Sequence, residues 1–83
     1  MEILFSDHSK KQLKKLDTRI QQKILFTLEK FKNNEPVDII KLKNKSKEFR
    51  IRTGNYRIEL QKVQEGFLVT KLGKRENFYL FFL

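Results

Sequence analysis

Phe49-Arg50-Ile51-Arg52-Thr53-Gly54-Asn55-Tyr56-Arg57 is the stretch on which the reading of the fold turns, and Leu72-Gly73-Lys74-Arg75-Glu76-Asn77-Phe78-Tyr79 is its companion. In the first, arginines alternate with apolar residues. Strand geometry then sends Arg50 and Arg52 to one face and Phe49 and Ile51 to the other. Gly54-Asn55 is a turn signal, and Tyr56, Ile58 and Leu60 alternate with Arg57, Glu59 and Gln61 beyond it. A further arginine follows Gly73, with a tyrosine four residues later. Such a layout gathers several guanidinium groups and a phenol over one sheet face, which is equipment suited to holding and cleaving a phosphodiester.

Working outward, residues 49–53, 55–63 and 67–72 read as three strands, with Gly54-Asn55 and Glu65-Gly66 as the turns of antiparallel hairpins. Upstream, residues 37–42 can hold a short extended segment, and Lys41, Lys43, Lys45 and Lys47 recur at every second position before Phe49. Asn33-Asn34-Glu35-Pro36 ends a helix, because the residue before proline avoids the helical region. That helix starts at an Asp17 cap and carries Ile20, Ile24, Leu28 and Phe31 as an apolar stripe, widened by Leu25. A shorter helix, capped by Ser6 or Asp7 and running to about Leu16, turns Leu13 and Leu16 to one side. Residues 1–6 read as a first strand. The expected fold is α+β: an N-terminal strand, then a helical hairpin packed on one face of a small antiparallel sheet of three or four strands, with the arginine face left open.

The totals agree with this. Eighty-three residues fit a single domain over 1–83 with a thin core, since chains near this length bury only about 60–70% of their unfolded surface. With no cysteine, disulfides and thiolate zinc sites are excluded, in keeping with a cytoplasmic protein. No signal peptide and no membrane span is expected. The net charge of +9 points to an anionic partner: nucleic acid, a ribosome or an acidic protein. No metal constellation and no glycine-rich phosphate loop is present in the pattern, so neither metal nor cofactor is expected. His8 reads as an exposed helix residue, and Lys10, Lys11, Lys14, Lys15 and Lys23 coat the helices, either as RNA contacts or as solvated surface.

The two stretches, the element order and the charge together resemble the RelE/ParE superfamily of bacterial and archaeal toxins. The resemblance rests on Gly54-Asn55-Tyr56-Arg57 opening a strand after a basic one, and on Gly73-Lys74-Arg75 followed by Tyr79. It implies a toxin of a type II toxin–antitoxin system with a co-expressed antitoxin that wraps the basic surface. In the RelE-like branch it implies a ribosome-dependent mRNA endonuclease that cuts in the A site by attack of the 2′-hydroxyl on the adjacent phosphate. In the ParE-like branch it implies inhibition of DNA gyrase, and a decayed member would be a basic RNA-binding module without turnover.

Residue by residue, the resemblance gives Arg57 the scissile phosphate, where a guanidinium fork stabilises the charge of the transition state. Arg75 takes the departing 5′-oxygen, as a hydrogen-bond donor, since arginine stays protonated beyond pH ~12. Tyr79 matches a tyrosine that stacks on a base and is a candidate general base, a role in which a phenol needs surrounding cations. These three are the catalytic candidates. Arg50 and Arg52 stand where related toxins often carry lysines. They are assigned phosphate binding together with Lys47 and Lys74, because arginine does not give up its proton and so does not replace a lysine base. Glu48 reads as a salt-bridge partner, and Lys74 occupies the position where a histidine acid stands in some relatives. The tail from Phe78 to Leu83 reads as core closure.

Overall fold

A computed structural model of the protein describes residues 1–42 and 47–74. In chain order the elements are β1 (Glu2–Phe5), α1 (Asp7–Lys14), α2 (Thr18–Lys32), β2 (Asp38–Lys41), β3 (Glu48–Thr53), β4 (Tyr56–Val63) and β5 (Gly66–Lys74). Local chemistry explains most of these boundaries. Ser6 caps α1, its hydroxyl oxygen accepting the Ser9 N–H at 3.1 Å, and Asp17 caps α2, accepting the Ile20 N–H at 3.0 Å. Each side chain satisfies one of the donors that a helix start leaves without an intrahelical partner. Helix α2 stops at Asn33, and Asn34 takes a left-handed φ of 61° just before Pro36, a conformation asparagine tolerates better than most residues.

The strands form a five-stranded sheet in the order β1-β5-β4-β3-β2. Strands β2 to β5 are antiparallel neighbours, whereas β1 lies parallel to β5, with Glu2 opposite Gly66 and Phe5 opposite Val69. The α+β class and the helical hairpin on one sheet face are as expected from the sequence. The strand count is that of the fuller reading, the first strand plus four, and the sheet differs in being mixed rather than antiparallel throughout. The helical crossover delivers β2 at the far edge, antiparallel to β1, and the three antiparallel steps from β2 to β5 then bring β5 back beside β1 in the same direction. The β3–β4 hairpin turns through Gly54-Asn55 alone, with Thr53 opposite Tyr56. Gly54 has φ 58° and Asn55 has none of the positive values, the sign pattern of a type II′ turn. The β4–β5 turn is Gln64-Glu65, one residue earlier than expected, and Gly66 is the first residue of β5.

The core lies between the sheet and the helices. Ile24 and Leu28 from α2 meet Ile51, Ile58, Leu60, Val69 and Leu72, all at most 3% exposed. Phe67 sits between Phe31 of α2 and Phe49 of β3 in edge-on contacts with centroids 4.9 and 5.7 Å away. Leu25 is not part of this stripe. It is 44% exposed because its position, one residue past Ile24, turns about 100° around the helix. There it lines a shallow groove with Ile3, Phe5 and Leu28. Helix α1 is tied to β5 beyond the end of β1: the Ser6 N–H donates to the Val69 carbonyl at 3.0 Å, the Ser9 hydroxyl to the same carbonyl at 2.8 Å, and the Leu72 N–H to the Gln12 side-chain oxygen at 2.8 Å. Polar side chains of α1 thus satisfy the stretch of sheet edge that β1 is too short to cover. No described helix is long and apolar enough to cross a membrane.

Candidate nucleic-acid interface

Because Ile51, Ile58 and Leu60 point into the helix-side core, their alternating neighbours point to the opposite face of the sheet. Register then arranges these neighbours in rows. Arg52 of β3 lies between Asp38 of β2 and Arg57 of β4, and Arg57 faces Gly73 of β5. In the next row Arg50 lies between Ile40 and Glu59, and Glu59 faces Lys71. Beyond it, Glu48 faces Gln61, Gln61 faces Leu68, and Leu68 faces Leu4 of β1. Gly73 leaves the space beside Arg57 open: a Cβ built there meets nothing within 4 Å.

Three of the residues singled out from sequence, Arg50, Arg52 and Arg57, therefore converge on one face. The structure adds that the arginines share it with carboxylates. Arg52 makes a two-pronged contact with Asp38, both N–O distances being 3.2 Å. One carboxylate oxygen of Glu59 lies 3.8 Å from Arg57 Nε and 4.0 Å from Arg50 Nη2. The first pair is at the exposed sheet edge, where such pairs contribute at most about 1 kcal/mol. The Arg57 side chain is only 14% exposed, so its position is set by packing as much as by charge. An incoming phosphate would meet forks already oriented for planar anionic groups.

Lys47 and Lys74 are placed differently. Lys47 precedes β3 and is exposed, with its carbonyl accepting the Lys62 N–H at 2.7 Å. Lys74 ends the described part of β5 opposite Tyr56. Strand alternation puts both on the helix side, at opposite ends of the sheet, rather than in the arginine rows. Arg75 and Tyr79 lie outside the described residues, as do the tail from Phe78 to Leu83 and the lysines Lys43 and Lys45. Lys10, Lys11, Lys14, Lys15 and Lys23 are exposed on the helices, as is His8. Among the described residues no group of three or more acidic or histidine side chains is placed to hold a metal ion.

Sequence reasoning missed Asp38, and offered Glu59 only as an alternative to Glu48 for pairing with Arg57. Asp38 becomes an arginine partner only once β2 is paired with β3, and nothing local announces that register. Glu59 had a visible signal, the strict alternation with Arg57, but its place between two arginines needs the β3–β4 register as well.

A helical hairpin on one face of a five-stranded sheet and an arginine-bearing opposite face define a small α+β domain built to present that face. Solved structures that match this architecture include RelE proteins. The RelB–RelE antitoxin–toxin complex from Methanococcus jannaschii matches with a TM-score of 0.77 at 28% identity, over 96% of this chain and 99% of that one. The archaeal RelE–RelB complex from Pyrococcus horikoshii OT3 matches with a TM-score of 0.71 at 21% identity, over 89% of this chain and 93% of that one. The isolated E. coli RelE toxin matches with a TM-score of 0.70 at 21% identity, over 87% of this chain and 81% of that one. No family model and no curated protein sequence matches the chain. The protein is RelE-like: it resembles the toxin half of these toxin–antitoxin pairs along nearly its whole length.

Proposed function

We propose that the protein is the toxin of a type II toxin–antitoxin pair and that it acts as an mRNA endonuclease in the ribosomal A site. The observation that carries this reading is the convergence of Arg50, Arg52 and Arg57 on the open face of a RelE-like sheet. In this reading Arg57 and Arg50 hold the non-bridging oxygens of the scissile phosphate. Their charge is of greatest use when the phosphorus carries an additional negative oxygen, which is the condition for lowering a barrier rather than only binding. The 2′-hydroxyl attacks and the 5′-oxygen departs, leaving a 2′,3′-cyclic phosphate and a 5′-hydroxyl. Arg75, next in the chain after Lys74, is assigned hydrogen bonding to the departing oxygen, and Tyr79 stacking on a base of the substrate. Arg52 is assigned a flanking phosphate, whereas Lys47 and Lys74, on the other face, are left without a role in holding the cut strand. The partners in this reading are a cognate antitoxin that covers the basic face, as two of the neighbouring RelE structures are complexes with RelB, and the ribosome with its mRNA in the cytoplasm. No cofactor is called for, since the nucleophile belongs to the substrate.

Primer extension on a defined mRNA in a stalled ribosome complex tests the reading, with the wild type beside Arg57→Ala and Arg75→Ala. The expected result is cuts within the A-site codon that depend on the ribosome and are lost in the folded variants. A folded, growth-inhibiting protein that makes no cuts would sink the nuclease reading. Inhibition of gyrase supercoiling in vitro would then move the assignment to the ParE-like branch, and salt-sensitive RNA binding without turnover would move it to a binding module.

A further inference from the structure

Resting on the nuclease reading, we propose that Glu59 is the general base that takes the proton from the attacking 2′-hydroxyl. The reaction requires a base on the face that holds the phosphate. The three arginines there do not fill that role, because a guanidinium keeps its proton at any pH at which a ribosome works. Glu59 lies among them on the middle one of the five strands. Its carboxylate is 3.8 Å from Arg57 and 4.0 Å from Arg50. A phosphate held by those two forks brings the adjoining ribose within reach of an oxygen lying between them, since the 2′-oxygen that attacks is itself only about 3–3.5 Å from phosphorus in a near-attack arrangement.

The backbone at this position is built specially. The β4–β5 pairing shifts register between Glu59 and Leu60, so that Glu59 faces Lys71 while Leu60 faces Val69. The extra residue of β5 is Thr70, whose hydroxyl donates to the Glu59 carbonyl at 3.3 Å. Bulges of this kind re-aim side chains and are frequent beside active sites. Here the bulge lets Val69 and Leu72, three residues apart on β5, both face the core while the β5 residue opposite Glu59 is Lys71. The groups around the carboxylate are Arg57 and Gln61 on its own strand, Arg50 opposite with Arg52 and Glu48 diagonal to it on β3, and Lys71 on β5. No described helix packs on this face.

The step balances without a further reagent. The 2′-O–H bond breaks with the proton passing to a Glu59 oxygen, the 2′-oxygen–phosphorus bond forms, and the phosphorus–O5′ bond breaks. The 5′-oxygen takes a proton from water, and Glu59 returns its own to solvent.

The experiment is single-turnover cleavage in the stalled ribosome complex from about pH 6 to 8.5, comparing wild type, Glu59→Gln and Glu59→Asp, with binding to the complex measured in parallel. The wild-type rate at each pH is the reference for the two variants. Glu59→Gln is expected to slow cleavage by about 10²–10⁴-fold, to bind at least as tightly as wild type, and to regain rate with rising pH. Glu59→Asp, which keeps the base on a shorter stem, is expected to fall between. A Glu59→Gln rate within about threefold of wild type, or a loss matched by weaker binding, overturns the assignment and leaves the nuclease reading standing. No cleavage by folded wild type overturns both.

Discussion

Replacing Gly66 by alanine isolates what holds the first strand in place. Gly66 has φ 153°, and a Cβ built on it stands 2.6 Å from the Glu2 nitrogen and closer still to the Glu2 carbonyl oxygen. Both neighbours are backbone, so no side chain can swing aside to make room. The conformation itself costs a residue with a Cβ about 1–3 kcal/mol. Moving Glu2 away breaks its N–H bond to the Glu65 carbonyl, 3.1 Å in the native protein, at about 1 kcal/mol. A combined loss of about 2–4 kcal/mol is large against the roughly 4–12 kcal/mol available to a chain of 83 residues. At about 4–8 °C per kcal/mol the midpoint falls by about 10–30 °C. Urea and thermal unfolding followed by circular dichroism give the stability, and amide exchange at Leu4 and Ser6, whose N–H groups alternate with that of Glu2 toward β5, reports whether β1 has come away. A loss below about 1 kcal/mol with those amides still protected would refute the account of β1 as a strand held by close backbone approach.

Arg57→Ala should lower cleavage by about 10²–10³-fold, the scale for removing one transition-state donor, while unfolding shifts by no more than about 2 kcal/mol; single-turnover kinetics and urea melts separate the two. Asp38→Ala releases Arg52 from its two-pronged partner; stability should change by less than about 1 kcal/mol, while RNA binding tightens and its salt slope steepens by about one counterion, read by filter binding across a salt series. Ile58→Ala empties the middle of the core, where Ile58 is fully buried, and should cost about 2–5 kcal/mol in urea unfolding. Asp17→Ala removes the α2 cap at about 1 kcal/mol, visible in the same assay without loss of RNA binding.

Features encoded over a few residues were legible in the sequence. Both helix caps, the Gly54-Asn55 turn and the opposed faces of β3 and β4 follow from local chemistry or from a period of two, and they stand in the structure. What escaped was encoded in pairing. Alternation tells that residues 2–5 form a strand but not that its partner is β5, nor that it runs parallel. The bulge beside Glu59 has no turn residue to mark it, because Thr70 fits an ordinary strand as readily as a bulged one. Leu25 shows a limit of counting apolar residues on a helix: one position past a buried isoleucine is already the rim. For the site, alternation grouped Arg50 with Arg52 and Arg57 with Glu59, but only register turned these two strips into rows. Lys47 and Lys74 illustrate the same limit, since nearness in sequence to the arginines did not bring them to the same face.

The strand order also sets the timing of assembly. Strand β5 lies between β1 and β4 and pairs with both, yet it follows every other described strand in the chain. Until it leaves the ribosome, β1 has no neighbour, and the helices lack Val69, Leu72 and Phe67 to pack on. The closing contacts span more than sixty residues, as Glu2 to Gly66 does, and contacts of such separation form late and slowly. The sheet that carries the arginine surface is therefore complete only once β5 has emerged and paired with β4 and β1.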